Sequence, residues 1–120
     1  MEGVFVFAGE SEKRVSHDYG QPVEVAVWEP LEGSSDTLTA GTVTYEGRFD
    51  WTFKYDISFY VLEGELTFRS GEDAQTARVG DIAVIHRGAT VTFDAPARCR
   101  AFWSIYPSNW MELSDLPGAK

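Results

Sequence analysis

Tyr60-Val61-Leu62-Glu63-Gly64-Glu65 and Gly80-Asp81-Ile82-Ala83-Val84-Ile85-His86-Arg87-Gly88 are the two stretches from which the fold can be read. The first is an apolar strand that ends in a glycine turn. The second opens on a Gly-Asp turn, runs through β-branched residues and closes on another glycine. Fifteen residues separate Gly64 from Gly80. That leaves room for a strand out over Glu65–Arg69, a turn at Ser70-Gly71-Glu72-Asp73, and a strand back that reaches Thr76–Val79.

Upstream, Trp51 to Leu62 is the longest strand candidate. Its odd positions, Trp51, Phe53, Tyr55, Ile57, Phe59 and Val61, are apolar or aromatic, while the even positions begin Thr52, Lys54, Asp56, Ser58. Alternation with period two over this length predicts a strand with one buried face. Leu38 to Glu46 reads as the strand before it, with a bulge expected at Gly41 and a turn at Gly47-Arg48. Further back come a loop over Pro30–Asp36, a strand over Val23–Trp28, a charged irregular stretch over Gly9–Gln21, and an apolar run, Val4–Ala8, expected to be an edge strand. Downstream, Ala89–Phe93 alternates, Asp94–Ala97 turns through Pro96, and Arg98–Tyr106 is the last long strand. The tail holds one expected helical turn. Many short strands and no convincing long helix predict an all-β sandwich or jelly roll. The expected organisation is one domain over residues 1–120: an approach segment (1–29), a barrel core (38–106) and a tail (107–120).

Composition narrows the function classes. Hydrophobic residues make up 43% of the chain, enough for a core. The net charge of −9 argues against nucleic acid and against anionic membranes, both of which need a basic face. The single cysteine, Cys99, excludes an intrachain disulfide and suits a reducing compartment; its expected role is that of a small buried apolar residue. Val4–Ala8 is too short for a signal or membrane segment, so a cytoplasmic location is expected.

The glycine spacing resembles the two-part signature of the cupin superfamily, G-x5-H-x-H-x3-E-x6-G followed by G-x5-P-x-G-x2-H-x3-N. Gly64 takes the closing glycine of the first part, and Gly80 and Gly88 take the two glycines of the second. Ala40-Gly41, Tyr55-Asp56, Tyr60–Gly64 and the ending Tyr106-Pro-Ser-Asn-Trp110 are similar to small single-domain cupins, a group that includes ureidoglycine aminohydrolase-like and ethanolamine-utilisation-like domains. The resemblance implies an RmlC-like cupin jelly-roll barrel, also described as a double-stranded β-helix.

The family's metal chemistry does not carry over residue by residue. Its first two histidines fall on Trp51 and Phe53, its glutamate on Ile57 and its third histidine on Val91. None of these side chains offers a donor for a transition metal. The motif's proline falls on His86 and its asparagine on Ala95. No metal and no cofactor is therefore expected at the usual place, and spacing assigns no catalytic residue.

The resemblance turns Trp51, Phe53, Tyr55, Ile57, Val91 and Phe93 toward the barrel interior. They are read either as packing or as the lining of an aromatic pocket for a small organic ligand. Tyr55, His86, Arg100 and Tyr106 are the polar candidates at the rim. Arg100 suits a carboxylate, and His86 is of the residue type most used as an acid or base. The functional expectation is a metal-independent cupin that binds a small metabolite. The alternatives are a small-metabolite enzyme of the same broad family and a dimeric scaffold with a filled barrel. Cupin-like domains often pair through edge strands, and Val4–Ala8, Tyr60 and Leu62 need apolar cover, so a homodimer is expected.

Overall fold

The computed structural model describes residues 2–31 and 37–114. After a short 3-10 turn at Gly9–Ser11, the strands are β1 (Val15–His17), β2 (Val23–Trp28), β3 (Thr39–Thr52), β4 (Asp56–Glu63), β5 (Glu65–Ser70), β6 (Asp73–Arg78), β7 (Ile82–Ile85) and β8 (Thr90–Tyr106). One turn of helix, α1 (Trp110–Leu113), follows in the tail as expected. Among the described residues no helix is long and apolar enough to cross a membrane.

All ladders are antiparallel, and two long strands serve both layers of the fold. On one side β3 pairs with β2 over Thr42 to Gly47; on the other its first part, Thr39 to Tyr45, pairs with Ile105 to Cys99 of β8. The second part, Gly47 to Thr52, pairs with Ala95 to Thr90. On the other flank of β8, β4 joins its later half and β5 its earlier half. One layer therefore runs β1-β2-β3-β8-β4-β7, and the other runs β3-β8-β5-β6. This two-layer jelly roll is the expected architecture.

Several expected boundaries fall elsewhere. Gly47-Arg48 does not turn the chain: β3 runs straight through as a 14-residue strand, with a register shift between Tyr45 and Gly47. Gly47 has φ +123, and a Cβ there would lie 2.4 Å from the Pro22 carbonyl oxygen, so the bulge admits only glycine. The reverse turn comes at Phe53-Lys54-Tyr55, where Phe53 exchanges backbone hydrogen bonds with Gly88 and Ala89 (2.7 and 2.9 Å). The stretch Trp51–Leu62 is thus the end of one strand, a turn and a second strand; the in–out alternation survives because all three parts face one interior.

Pro96 likewise does not end a strand. β8 continues for 17 residues, and Pro96-Ala97-Arg98 bulge out opposite Glu46, between the pairs Gly47–Ala95 and Tyr45–Cys99. Gly41 sits in a regular ladder opposite Trp103 instead of in a bulge. Val4–Ala8 is not a strand; it is exposed and joins no ladder. The Gly71-Glu72 turn between β5 and β6 lies where expected, with Gly71 at φ +59 and Ser70 opposite Asp73.

Between the layers lies an aromatic core. Phe93 stacks on Phe49 at 4.6 Å and meets Phe68, Phe53 and Phe59 at 5.0, 5.7 and 5.9 Å. Leu66, Val43 and Val61 complete its most buried part. Pairs in these geometries add about 0.5–1.5 kcal/mol each beyond the area they bury.

Candidate functional site

The barrel centre is built as the alternation demands. Phe53, Tyr55, Ile57, Val91 and Phe93 are buried, and Trp51 is half-buried at the end of β3. All six expected lining residues therefore come together, and they fill the space. The mouth is closed from both ends of the chain. Tyr19, from the charged approach segment, stacks on Trp51 at 4.7 Å; Trp110 of α1 meets Tyr55 edge-on at 6.0 Å. Trp110 is held by Glu29, which accepts from its indole N–H at 3.4 Å and from the Thr39 hydroxyl at 2.7 Å. The cavity left among Tyr19, Tyr45, Tyr55, Ile57, Trp103 and Trp110 measures about 20 Å³, the size of a single water site.

Burial pushes the phenols of Tyr19, Tyr45 and Tyr55 well above the ordinary tyrosine range. They remain neutral near pH 7, so the barrel centre is polar at its hydroxyls and carries no charge. A cupin metal does not fit here. Its four donor positions hold an indole, a phenyl ring and two aliphatic chains, and the described residues bring no group of three or more His, Cys, Asp or Glu side chains together.

Two of the expected rim residues lie elsewhere. On β8, Cys99, Ala101, Trp103 and Ile105 point inward, which puts Arg100, Phe102, Ser104 and Tyr106 on the outer face. Arg100 and Tyr106 are therefore remote from the interior, because an even position on this strand cannot share a face with the odd ones. Arg100 already has a carboxylate: Glu12 accepts from its Nη2 at 2.9 and 3.2 Å and from the Thr42 hydroxyl at 2.7 Å. Arg14 lies 3.9 Å from the same carboxylate. Partial burial opposes ionisation of Glu12, but Thr42, Arg100 and Arg14 outweigh it and hold the carboxyl below its ordinary range.

His86 sits at the β7 terminus with its Nδ1 3.7 Å from Asp56. Asp56 also takes a side-chain bond (3.0 Å) and a backbone bond (2.9 Å) from Arg87, which lower its pKa. His86 does border an open space, although not the barrel mouth. β6 pairs only with β5, and β7 only with β4, so two strand edges face a cleft of about 600 Å³. Phe68, Ala77, Ala83, Ile85, Ala89 and Val91 provide its apolar lining; Arg69, Asp73, Gln75 and His86 stand among its polar groups. Sequence reasoning missed this cleft. Its one signal is that Ala77, Ala83 and Ala89 are small where neighbouring strands carry phenylalanine and isoleucine.

Residues 1–112 match the family described as "Ethanolamine utilisation protein EutQ". This chain belongs to that family. A protein named acetate kinase EutQ from Salmonella typhimurium is 31% identical over 113 residues, covering 92% of this chain and 49% of the relative. Its namesake from Clostridioides difficile is 28% identical over 96 residues, covering 78% and 61%. The chain thus spans about half the length of the Salmonella relative. The solved EutQ structure from Clostridium difficile superposes with a TM-score of 0.71 at 30% identity, covering 88% of this chain and 83% of that one. An RmlC-like cupin from Shewanella frigidimarina, at 17% identity and a TM-score of 0.62, covers 86% of this chain and 89% of its own. The fold is therefore that of a cupin. Of the two kinds of small cupin that the sequence resembles, the ethanolamine-utilisation kind is the one met.

Proposed function

We propose that this chain is a metal-independent binding protein of the ethanolamine-utilisation type, and that it takes a small organic metabolite in the cleft between β6 and β7. The observation that carries this reading is the contrast between a barrel centre that leaves about 20 Å³ and a cleft of about 600 Å³ at the β6 and β7 edges with an apolar floor. Small-molecule sites run from roughly 300 to 1,000 Å³, with an apolar lining and a few polar groups to fix orientation. Phe68, Ile85 and Val91 supply the lining. Gln75 and the free backbone groups of the two edges supply neutral donors and acceptors. The cytoplasmic location belongs to the same proposal and is supported by a single buried thiol, Cys99.

The test combines metal analysis with ligand-induced stabilisation on protein purified without a histidine tag. Transition metal is expected below about 0.1 equivalent, since the donor positions are hydrocarbon. In a metabolite panel that includes ethanolamine and acetate, a binder at 100 times its Kd adds about 2.7 kcal/mol of stability. That gain is expected in the wild type and is expected to vanish in Ala83→Leu, which narrows the cleft. A full equivalent of bound metal, or stabilisation indifferent to Ala83→Leu, would overturn the reading. No response to any compound would favour the scaffold with a filled barrel.

A second reading, an enzyme, is favoured by one observation: His86 stands on the rim of that cleft with Asp56 beside it. An imidazole beside a carboxylate on a cleft rim is a candidate general acid or base. Turnover lost in His86→Ala with ligand affinity retained would support it. The acetate kinase activity named for the longer relatives is placed outside this chain in our reading, because phosphoryl transfer relies on cationic and metal-held phosphate sites. Acetate-dependent ATP consumption by this chain alone is therefore expected to be absent, and its detection would move the enzyme reading to the front.

A further inference from the structure

The two strand edges that bound the cleft leave defined backbone groups without partners. Gly71-Glu72 is a two-residue hairpin loop, so Ser70 and Asp73 form a hydrogen-bonded pair, and along β6 the bonds to β5 then fall on Gln75 and Ala77. Ala74, Thr76 and Arg78 therefore turn their N–H and C=O groups away from β5. Arg78 agrees: its N–H donates to the Asp81 carboxylate at 2.8 Å, and its carbonyl accepts from the Asp81 N–H at 2.8 Å. On β7 the phase is set by Val61, which accepts from the Gly80 N–H at 3.0 Å and donates to the Asp81 carbonyl at 3.2 Å. The bonded pairs that follow are Phe59 with Ala83 and Ile57 with Ile85. Ile82 and Val84 thus turn their backbone groups away from β4, and β4 is the one strand with which β7 pairs among the described residues.

Val84 stands in the middle of the cleft wall. Every residue of β7 lines the cleft, and on either side of Val84 the side chains of Ala83 and Ile85 face inward. Of Ala74 and Thr76 on β6, only Thr76 lines it. The charges nearby are turned away or held. Arg69 follows Phe68 on β5 and so faces the opposite side of the sheet from that core-facing ring. Asp81 is bonded to the Arg78 N–H, and His86 lies 3.7 Å from Asp56. Asp73 shares the inner face with Gln75 and Ala77 and makes no ion pair among the described residues. It disfavours an anion at the hairpin end of the cleft.

We propose, on the reading that this cleft is the small-molecule site, that it selects an acylated α-amino amide, bound as one added strand residue on the β7 edge at Val84. A strand residue offers its N–H and C=O on the same side. The complement is a C=O and an N–H borne on one carbon, both unionised. An amino acid acylated at nitrogen and amidated at the carboxyl carries that unit. A free amino acid carries a charge at both places, and burying those charges against an uncharged edge is costly. The carbon opposite Val84 turns its own side group outward with the Val84 side chain, because directly paired residues share a face. The groups on the acyl and amide ends then face inward, beside Ala83 and Ile85 and across from Ala77, Ala89 and Phe68. Three alanines there leave room for a short branched acyl chain.

A heteronuclear NMR titration of the intact chain with N-isobutyryl-alanine methylamide is the test. Saturable binding is expected, with the Val84 amide resonance moving downfield. Replacing the terminal amide of the probe by a carboxylate, or methylating its alanine nitrogen, is expected to weaken binding by about 10-fold or more, since each opposes or removes one edge bond. Val84→Pro lacks only an N–H that no ladder uses and is expected to lose affinity to the same extent. Ala74→Pro, on the β6 edge outside the cleft lining, is expected to retain it. The far-ultraviolet spectrum checks that each variant folds; if Val84→Pro does not, the methylated probe on the wild type decides. Binding that is lost in Ala83→Leu yet indifferent to both Val84→Pro and probe methylation would overturn the edge assignment and leave the cleft as a metabolite site. Binding indifferent to Ala83→Leu would overturn both. No binding of the amide, or tighter binding of the carboxylate, overturns the ligand class. An extended peptide of about ten residues bound about 100-fold more tightly would overturn it in favour of a partner protein's strand.

Discussion

The indole N–H of Trp51 donates to the hydroxyl of Tyr55 at 3.0 Å, across the three-residue turn that closes the barrel. The two residues stand four apart in sequence and on the two sides of that turn. Their bond joins the end of β3 to the start of β4 beneath the Tyr19 ring. Tyr55→Phe is expected to cost about 1–2 kcal/mol, because it leaves a partly buried indole donor without its acceptor. Thermal melts should show a fall of several degrees. A double-mutant cycle with Trp51→Phe should recover most of that loss as coupling. Additive losses would mean that the bond contributes nothing.

Glu12 ties the approach segment to the sheet, and the tie should depend on pH. Its carboxyl is held below the ordinary value of 4.5 in the folded protein. A group whose folded pKa is lowered contributes stability above its unfolded pKa and loses it as pH falls through the folded pKa. The stability difference between wild type and Glu12→Gln is therefore expected to be full at neutral pH. It should shrink below about pH 4.5. Denaturant titrations at pH 7, 5 and 3 check this, and a difference that grows toward acid would contradict the assignment.

Burial pushes the Cys99 thiol up to about 11. Its side chain is fully enclosed between the layers, opposite Tyr45. The native protein is expected to resist maleimide at pH 8, and labelling should appear only with unfolding, at a rate that tracks added denaturant. Rapid labelling of the native state would show that the layers part near the β8 bulge.

Gly47→Ala should be far more damaging than Gly71→Ala. Both glycines have positive φ, but a Cβ at Gly47 collides with the Pro22 carbonyl, whereas one at Gly71 meets nothing within 4 Å. Backbone strain alone costs about 1–3 kcal/mol. Gly71→Ala should stay within that range and Gly47→Ala should exceed it, because the collision is with backbone that cannot rotate away. Urea midpoints of the two variants decide the matter.

Much of the architecture was legible in residue order. Alternation along Trp51–Leu62 and Ala89–Phe93 assigned inward faces that all proved buried or half-buried. Gly64, Gly80 and Gly88 all take positive φ and mark the turns expected of them. The loss of metal donors was visible by inspection, since it is a matter of residue type. The boundaries were less legible. A glycine that turns a chain and a glycine that bulges a strand look alike in sequence; only the partner strand, β2 or β8, tells them apart. The Arg98–Tyr106 segment alternates as clearly as any other, although the chemistry of Arg100 and Tyr106 suits a rim. Their even register places them outside.

The sequence by itself determined the all-β jelly roll, the inward aromatic set and the indole, phenyl and aliphatic side chains at Trp51, Phe53, Ile57 and Val91, where the family motif has metal donors. Each of these depends on residue type and local period, which the chain carries wherever it goes. The tertiary structure alone decided that Tyr19 and Trp110 close the mouth, that Glu12 pairs with Arg100, and that a cleft opens between β6 and β7. Those contacts join residues far apart in the chain, 88 positions apart for Glu12 and Arg100. No local pattern encodes which distant side chain arrives to fill a space or leave it open.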